Sequence, residues 1–338
     1  MNSFSGARLR TPEEIALNAG ADFARLLPPQ PGQVFAGRAV RMRQLAAGHA
    51  MRDYLLLMAV ICEAQHEQLA TYPAVALPSR EQAGAAATAG QPLLHTASWP
   101  RDPVWREEWR ALLGRVLNKL PEDSPARPSV EALRVLPDDA LERQADRLLA
   151  GIGLGVDLAA APLIAAGLQL HWTHLVSATA AAQPGAFGMT DDATRCPCCG
   201  SLPTASITRI GGEQEGYRYL HCALCSAQWH MVRVKCTHCQ GTGGIQYQAL
   251  QALADAAASG EREAVQAETC DVCSHYLKIV HMGKDLHVEP VADDLATLTL
   301  DLLVSDAGFT RHGINFLLLF GDEDAADAAP PDPDRGPR

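Results

Sequence analysis

The chain has 338 residues, is 47% hydrophobic and 20% charged, and carries a formal net charge of −11. That is enough apolar material for a core of ordinary size, so disulfide staples are not needed to hold it together. The acidic balance argues against a general nucleic-acid binder, whose affinity rests on Lys and Arg neutralising phosphates.

The first ten residues lack the basic-then-apolar architecture of a secretory signal, which sets the expectation of a reducing cytoplasm. Thr11-Pro12-Glu13-Glu14 combines a capping box with proline at the first helical position and predicts a helix from residue 12. Helices are also expected over 34–47 and 52–71. In the latter, Leu55, Met58, Cys62 and Leu69 fall on one face with Ile61 beside them, which makes Cys62 a core residue. Residues 73–98 are rich in Ala, Gly and Pro with little periodicity and predict a long irregular crossing. The helical period resumes over 103–120, where Trp105, Trp109, Leu112, Val116 and Leu117 form one stripe. Two further helices are expected over 128–136 and 138–150. Gly151-Ile-Gly-Leu-Gly follows a helix, lacks the G-x-G-x-x-G spacing, and is not read as a nucleotide loop. Residues 158–182 carry no formal charge, yet Pro162, Gln169, His171, Thr173, His174, Ser177 and nine alanines make a poor membrane span and predict a buried helix. His171 and His174 share a helical face without a third ligand nearby and read as interior histidines. The Pro, Gly and Asp residues of 183–194 mark the expected domain boundary.

Eight of the ten cysteines then arrive as four C-x-x-C pairs: Cys196/Cys199, Cys222/Cys225, Cys236/Cys239 and Cys270/Cys273. Each such turn brings two sulfurs to one side of a tight loop and makes half a tetrahedral site, so four of them signal two metal ions. Expected strands over 204–210 and 217–220 join the first two knuckles; those over 245–250 and 264–269 flank an Ala-rich insertion at 251–263 between the last two. Sequential pairing follows, first knuckle with second and third with fourth, in a zinc-ribbon or rubredoxin-like layout. Tetrathiolate sites suit zinc and iron alike. Cys198, unassigned inside the first knuckle, reads as a spare cysteine, with a low-pKa reactive thiol as the alternative. The ribbons are near neutral, with eight Lys or Arg against nine Asp or Glu over 195–289.

A strand is expected over 276–280 and a helix over 290–305, with Asp293 and Asp294 in its first turn, where negative charge suits the helix dipole. An apolar run over 314–320 reads as a strand or extended segment, and the acidic, Pro-rich chain from Asp322 onward reads as disordered. The expected fold class is α+β: an all-helical N-terminal domain (1–190), two tandem rubredoxin-like or zinc-ribbon modules (191–289), a C-terminal helix and apolar segment packing back (290–321), and a tail (322–338). No constellation for hydrolytic or phosphoryl-transfer chemistry is present. A site closed by four cysteines leaves no open position to activate water. Such a layout predicts an autonomous ribbon half whose unfolding would spare the helices.

The run Tyr217-Arg-Tyr-Leu-His-Cys-Ala-Leu-Cys, continued by Trp229-His-Met-Val-Arg-Val-Lys-Cys-Thr-His-Cys, resembles the core motif of the formate dehydrogenase accessory protein family, FdhE. Cys196-Pro-Cys-Cys-Gly-Ser-Leu-Pro, Cys270-Asp-Val-Cys-Ser-His-Tyr-Leu-Lys-Ile, Pro290-Val-Ala-Asp-Asp-Leu-Ala and Gly313-Ile-Asn-Phe-Leu resemble its other landmarks in the same order. The specific match covers about 195–320. Cys198 and the absence of an Asn-Pro step after Ile314 depart from the pattern, and neither touches the paired cysteines. The resemblance implies a cytoplasmic, non-enzymatic protein for maturation of the respiratory molybdenum formate dehydrogenase, binding its catalytic subunit before export and carrying two iron ions, with zinc possible in their place. The alternative is a rubredoxin-like electron carrier. Tyr217, Tyr219, Trp229 and His230 lie beside the knuckles, and ribbons this small have little interior to bury them. Arg218, Trp229 and Arg233 are therefore the candidate partner-binding residues.

Overall fold

The computed structural model describes residues 23–250 and 264–319. The helix expected from residue 12, the insertion at 251–263 and the tail from Asp322 lie outside the described residues.

After a two-residue strand β1 (Leu26–Leu27), the helices α1 (Val34–Leu45), α2 (Arg52–Ala70), α3 (Arg80–Thr88), α4 (Val104–Lys119), α5 (Arg127–Arg134), α6 (Asp138–Ala150) and α7 (Ala161–Ala182) follow in order. Every residue of α7 from 161 to 173 is buried, so this uncharged helix is the centre of the bundle, against which the apolar faces of α2, α4 and α6 pack. It is tied to its neighbours by hydrogen bonds: Gln169 Nε2 donates to the Ala223 carbonyl at 2.8 Å, and Trp109 Nε1 of α4 donates to the Leu163 carbonyl at 2.9 Å. No described helix is long and apolar enough to cross a membrane. Gly151 closes α6 in the left-handed conformation (φ +69°), so the glycine run is a helix stop.

His171 is fully buried and hydrogen-bonded through Nδ1 to the Tyr72 hydroxyl at 2.8 Å; the His174 ring packs 4.5 Å from that of Tyr72. Burial lowers His171 to about 3, with His174 a smaller cause. Below the unfolded pKa of about 6.5 the unfolded chain takes a proton there and the folded chain does not. This residue should therefore cost stability as pH falls from about 6.5, at up to about 1.4 kcal/mol per pH unit, until the folded imidazole itself protonates near pH 3. Urea titrations between about pH 7 and 5 should show this slope in the wild type and a shallower one in His171→Phe.

Two expectations about helices need correction. The crossing at 73–98 contains α3, started by a full capping box in which Ser79 and Gln82 satisfy each other's backbone N–H; poor apolar periodicity concealed it because none of its residues is buried. The single helix expected over 290–305 is two, α8 (Pro290–Ala296) and α9 (Leu298–Asp306), broken at Thr297, where the Lys278 Nζ takes the Asp294 carbonyl at 2.6 Å.

The strands β2 (Pro203–Thr208), β3 (Arg218–Cys222), β4 (Gln228–His230), β5 (Ile245–Gln248), β6 (Val265–Cys270), β7 (His275–His281) and β8 (Thr310–Arg311) do not form two separate ribbons. They make one sheet in the order β1-β4-β3-β2-β7-β6-β5, with β8 also on β7. The two halves are joined by parallel pairing of β2 with β7, Ser206 opposite Ile279 through Thr208 opposite His281. The apolar run at 314–319 is a turn: the Ile314 N–H donates to the Pro203 carbonyl at 3.0 Å, and the Asn315 side chain holds the Val291 carbonyl and Asp294. A Cβ on Gly313 would stand 2.6 Å from the Pro203 oxygen and 2.8 Å from Leu277 Cδ1. The backbone oxygen cannot yield, so Gly313→Ala should lower stability by about 1–3 kcal/mol in a denaturant melt.

The helical region and the sheet share one core, which runs from α2, α4 and α7 through the first two knuckles to Leu277, Val291 and Phe316. Buried ion pairs reinforce it: Arg38 of α1 reaches Glu289 at 3.1 Å and Arg41 reaches Asp293 at 2.6 Å. Glu289 also accepts the N–H groups of Val291 and Ala292, capping α8. The aspartates of α8 are thus more than dipole partners: both are buried and paired.

Candidate metal centres

The four knuckles share one backbone recipe. In each, the residue after the second cysteine adopts positive φ: Gly200 (+76°), Ser226 (+60°), Gln240 (+59°) and Ser274 (+53°). That reversal brings the next residue's carbonyl back to the first cysteine's N–H, at 2.9 Å for Ser201 on Cys196, 2.9 Å for Ala227 on Cys222 and 2.8 Å for Gly241 on Cys236. Backbone N–H groups also point at sulfur: Leu224 and Cys225 donate to Cys222 Sγ and His238 to Cys236 Sγ, all at 3.4 Å. These bonds offset thiolate charge before any metal is considered.

Pairing is sequential, as the spacing predicts. Cys196, Cys199, Cys222 and Cys225 converge with Sγ–Sγ separations of 3.4–3.6 Å, and Cys236, Cys239, Cys270 and Cys273 with 3.7–3.8 Å. A metal–sulfur bond of about 2.3 Å gives a tetrahedral edge of about 3.8 Å, so both clusters are suited to bind a metal ion. A disulfide, at about 2.05 Å, fits neither.

The two clusters differ in surroundings. All four cysteines of the first are buried, and its knuckle is held from the helical side: Leu94 and Thr96 donate to the carbonyls of Cys198 and Cys199 at 2.9 and 3.1 Å. Burial alone would raise Cys196, but S–H donation from Cys198, Cys199, Cys222 and Cys225 holds it well below the usual thiol range, while burial pushes Cys199 and Cys225 well above it. Metal entry must therefore displace protons, and affinity should rise with pH. In the second cluster Cys239 is exposed and Cys273 half-buried. Cys198 is fully buried and its thiol raised well above the usual range by burial and by Cys196, which goes against the alternative of a reactive low-pKa thiol.

The aromatics expected at the surface are largely covered, a correction whose cause is the segment before α1. Phe23 stacks on Tyr217 at 4.1 Å, Tyr219 donates to the Ala24 carbonyl at 2.8 Å, and β1 pairs with β4. Trp229 is fully buried, its Nε1 donating to the Ala193 carbonyl at 2.9 Å. Arg218 is also fully buried; it ties the two halves of the sheet by reaching Glu268 at 2.8 Å and the Arg233 carbonyl at 3.2 Å. Arg233 itself is exposed, flanked by exposed Val232 and Val234, with Tyr247 donating to its carbonyl at 3.3 Å. Sequence reasoning missed three histidines gathered beside the second cluster, His238, His275 and His312. The available signal was His238 inside the third knuckle and His275 just after the fourth.

A helical N-terminal region followed by a sheet that carries two four-cysteine clusters defines an α+β protein with tandem rubredoxin-like metal knuckles. Residues 23–185, 195–233 and 234–318 match the family models for the FdhE N-terminal region, the FdhE central domain and the FdhE C-terminal domain. The chain belongs to the FdhE family. It is 37% identical over 301 residues to the Protein FdhE homolog of Edwardsiella ictaluri and 35% identical over 297 residues to Protein FdhE of Escherichia coli, in each case across 88% of this chain and 92% of the relative. The crystal structure of the FdhE protein from Pseudomonas aeruginosa superposes with a TM-score of 0.74 at 34% identity, covering 88% of this chain and 100% of that one.

Proposed function

We propose that this chain is a cytoplasmic accessory protein for maturation of molybdenum-dependent respiratory formate dehydrogenase, binding its catalytic subunit without itself turning over a substrate. The observation that carries this reading is family membership across all three regions together with both four-cysteine clusters. Cys196, Cys199, Cys222 and Cys225 hold one ion and Cys236, Cys239, Cys270 and Cys273 another. Both sites are read as iron, on the family resemblance; the donor set itself takes zinc as readily. A bound ion supplies cross-linking of the knuckles and, if iron, a one-electron couple. Protein isolated anaerobically from its own host should turn red on oxidation through thiolate-to-ferric charge transfer, and zinc alone in such protein would contradict the iron reading.

Of the partner-binding candidates, Arg233 is the exposed one. Beside it Val232, Val234 and Tyr247 expose apolar surface at 55, 58 and 47%, and Val272, next to Cys273, at 70%. Arg and Tyr beside apolar side chains are the groups that anchor interfaces. Immobilised wild-type protein should capture the catalytic subunit, and Arg233→Glu with Tyr247→Ala should lose at least about tenfold in affinity while retaining metal. Undiminished capture by that folded variant would place the interface elsewhere.

The exposure of Cys239 favours a second reading, electron transfer through the second site. It requires a reversible one-electron couple that supports turnover of a redox partner at catalytic rates. The accessory reading requires none.

A further inference from the structure

We propose that the second cluster extends into an adjoining cation site built from Cys273, His238 and His275, with the Cys273 thiolate bridging two ions. The proposal rests on the reading that the second four-cysteine cluster holds a metal. Ligand atoms of the three side chains lie within 4.8 Å of one another. His275 Nδ1 donates to the Cys273 carbonyl at 2.7 Å, which fixes the tautomer and leaves the Nε2 lone pair free; a metal-binding imidazole is commonly oriented by just such a bond. His238 stands on the facing knuckle with its ring 3.6 Å from that of His275 and nearly parallel, at 4°. His238 is exposed and has room to tilt from the stack toward a shared ion.

An independent observation points to the same place. His312, held by its backbone N–H on the Tyr276 carbonyl at 2.7 Å, sets its ring edge-on to His238 at 5.1 Å. It is 8% exposed, and its Nε2 is buried with no hydrogen-bond partner among the described residues. Buried polar atoms are rarely left so. An ion on His238, or water bound to that ion, would give this nitrogen its partner. One thiolate and two imidazoles form a borderline donor set suited to Zn²⁺ or Co²⁺. With only three protein ligands, this site keeps an open position that the tetrathiolate sites lack.

The test uses untagged full-length protein already carrying its two ions, titrated anaerobically with Co²⁺ against a chromophoric chelator. Wild-type protein should take a third equivalent, lost to a weak chelator while the first two stay. His238→Ala with His275→Ala should saturate at two, each single variant should bind the third ion at least about tenfold more weakly, and His287→Ala, an exposed control, should still take three. Saturation of the wild type at two, or an undiminished third equivalent in the double histidine variant, overturns the proposal alone. Fewer than two tightly held ions in wild-type protein overturns the tetrathiolate reading and this proposal with it.

Discussion

Replacing Cys222 with serine is expected to release one ion and to destabilise the helical region along with the sheet. A structural tetrathiolate site contributes on the order of 10 kcal/mol or more, comparable with the whole stability of a domain, about 5–15 kcal/mol. Cys222 is fully buried, and its knuckle lies in the core that α2, α4 and α7 share. The carbonyls of Cys198, Cys199 and Ala223 in the paired knuckles accept from Leu94, Thr96 and Gln169. Disordering these knuckles therefore strips partners from the helical side, and the sequence-based expectation of a surviving helical half is revised. Cys239→Ser, at the exposed cluster, should release one ion yet leave the first site and most helical circular dichroism in place. Metal content and thermal melts of both variants decide it: two retained ions in Cys222→Ser, or equal damage from both substitutions, would contradict this picture.

The second large effect is expected at Asp294. This carboxylate is 2% exposed and meets Lys278 at 3.0 Å, Arg311 at 2.8 Å and the Asn315 amide at 2.8 Å. Lys278 is fully buried on the middle of β7 and also reaches Asp301 at 2.5 Å. Burial alone would raise Asp294; the adjacent Arg311 and Lys278 hold it below the usual carboxylate range. Asp294→Ala leaves two cations facing one remaining carboxylate in the interior, a change that costs about 3–5 kcal/mol. Lys278→Met alone should also destabilise, and Lys278→Met combined with Asp294→Ala should cost less than the sum, because the double variant removes one charge of each sign. The sign for pH follows: a depressed carboxylate contributes stability above its unfolded pKa of about 3.9 and loses it as pH falls through the lower folded value. That acid limb begins below about pH 3.9, at the foot of the window in which His171 acts. Additive single and double variants in urea melts would show that the network is not coupled.

The knuckles and their pairing were legible because a C-x-x-C turn is a local object, α6 because Gly151 stops it, and α7 because its uncharged composition sets it apart. What sequence could not show depends on distant partners. The parallel seam between β2 and β7 joins segments separated by the second, third and fourth knuckles, and nothing local in Ser206 or Ile279 announces the other. Asp293 read as a helix-dipole residue because Arg41, its partner, lies 252 positions away. Trp229 and Arg218 read as surface anchors because the segment at 23–27 and Glu268, which cover and neutralise them, lie in other parts of the chain. Such burial is a property of the assembled sheet.

The central claim is a maturation role, and the measurement closest to it is formate-dependent dye reduction in host cells that lack this gene. Formate dehydrogenase activity should be lost in the deletion strain although its catalytic subunit is still made, should return with the wild-type chain, and should not return with Cys222→Ser. Full formate dehydrogenase activity in the deletion strain would contradict the account.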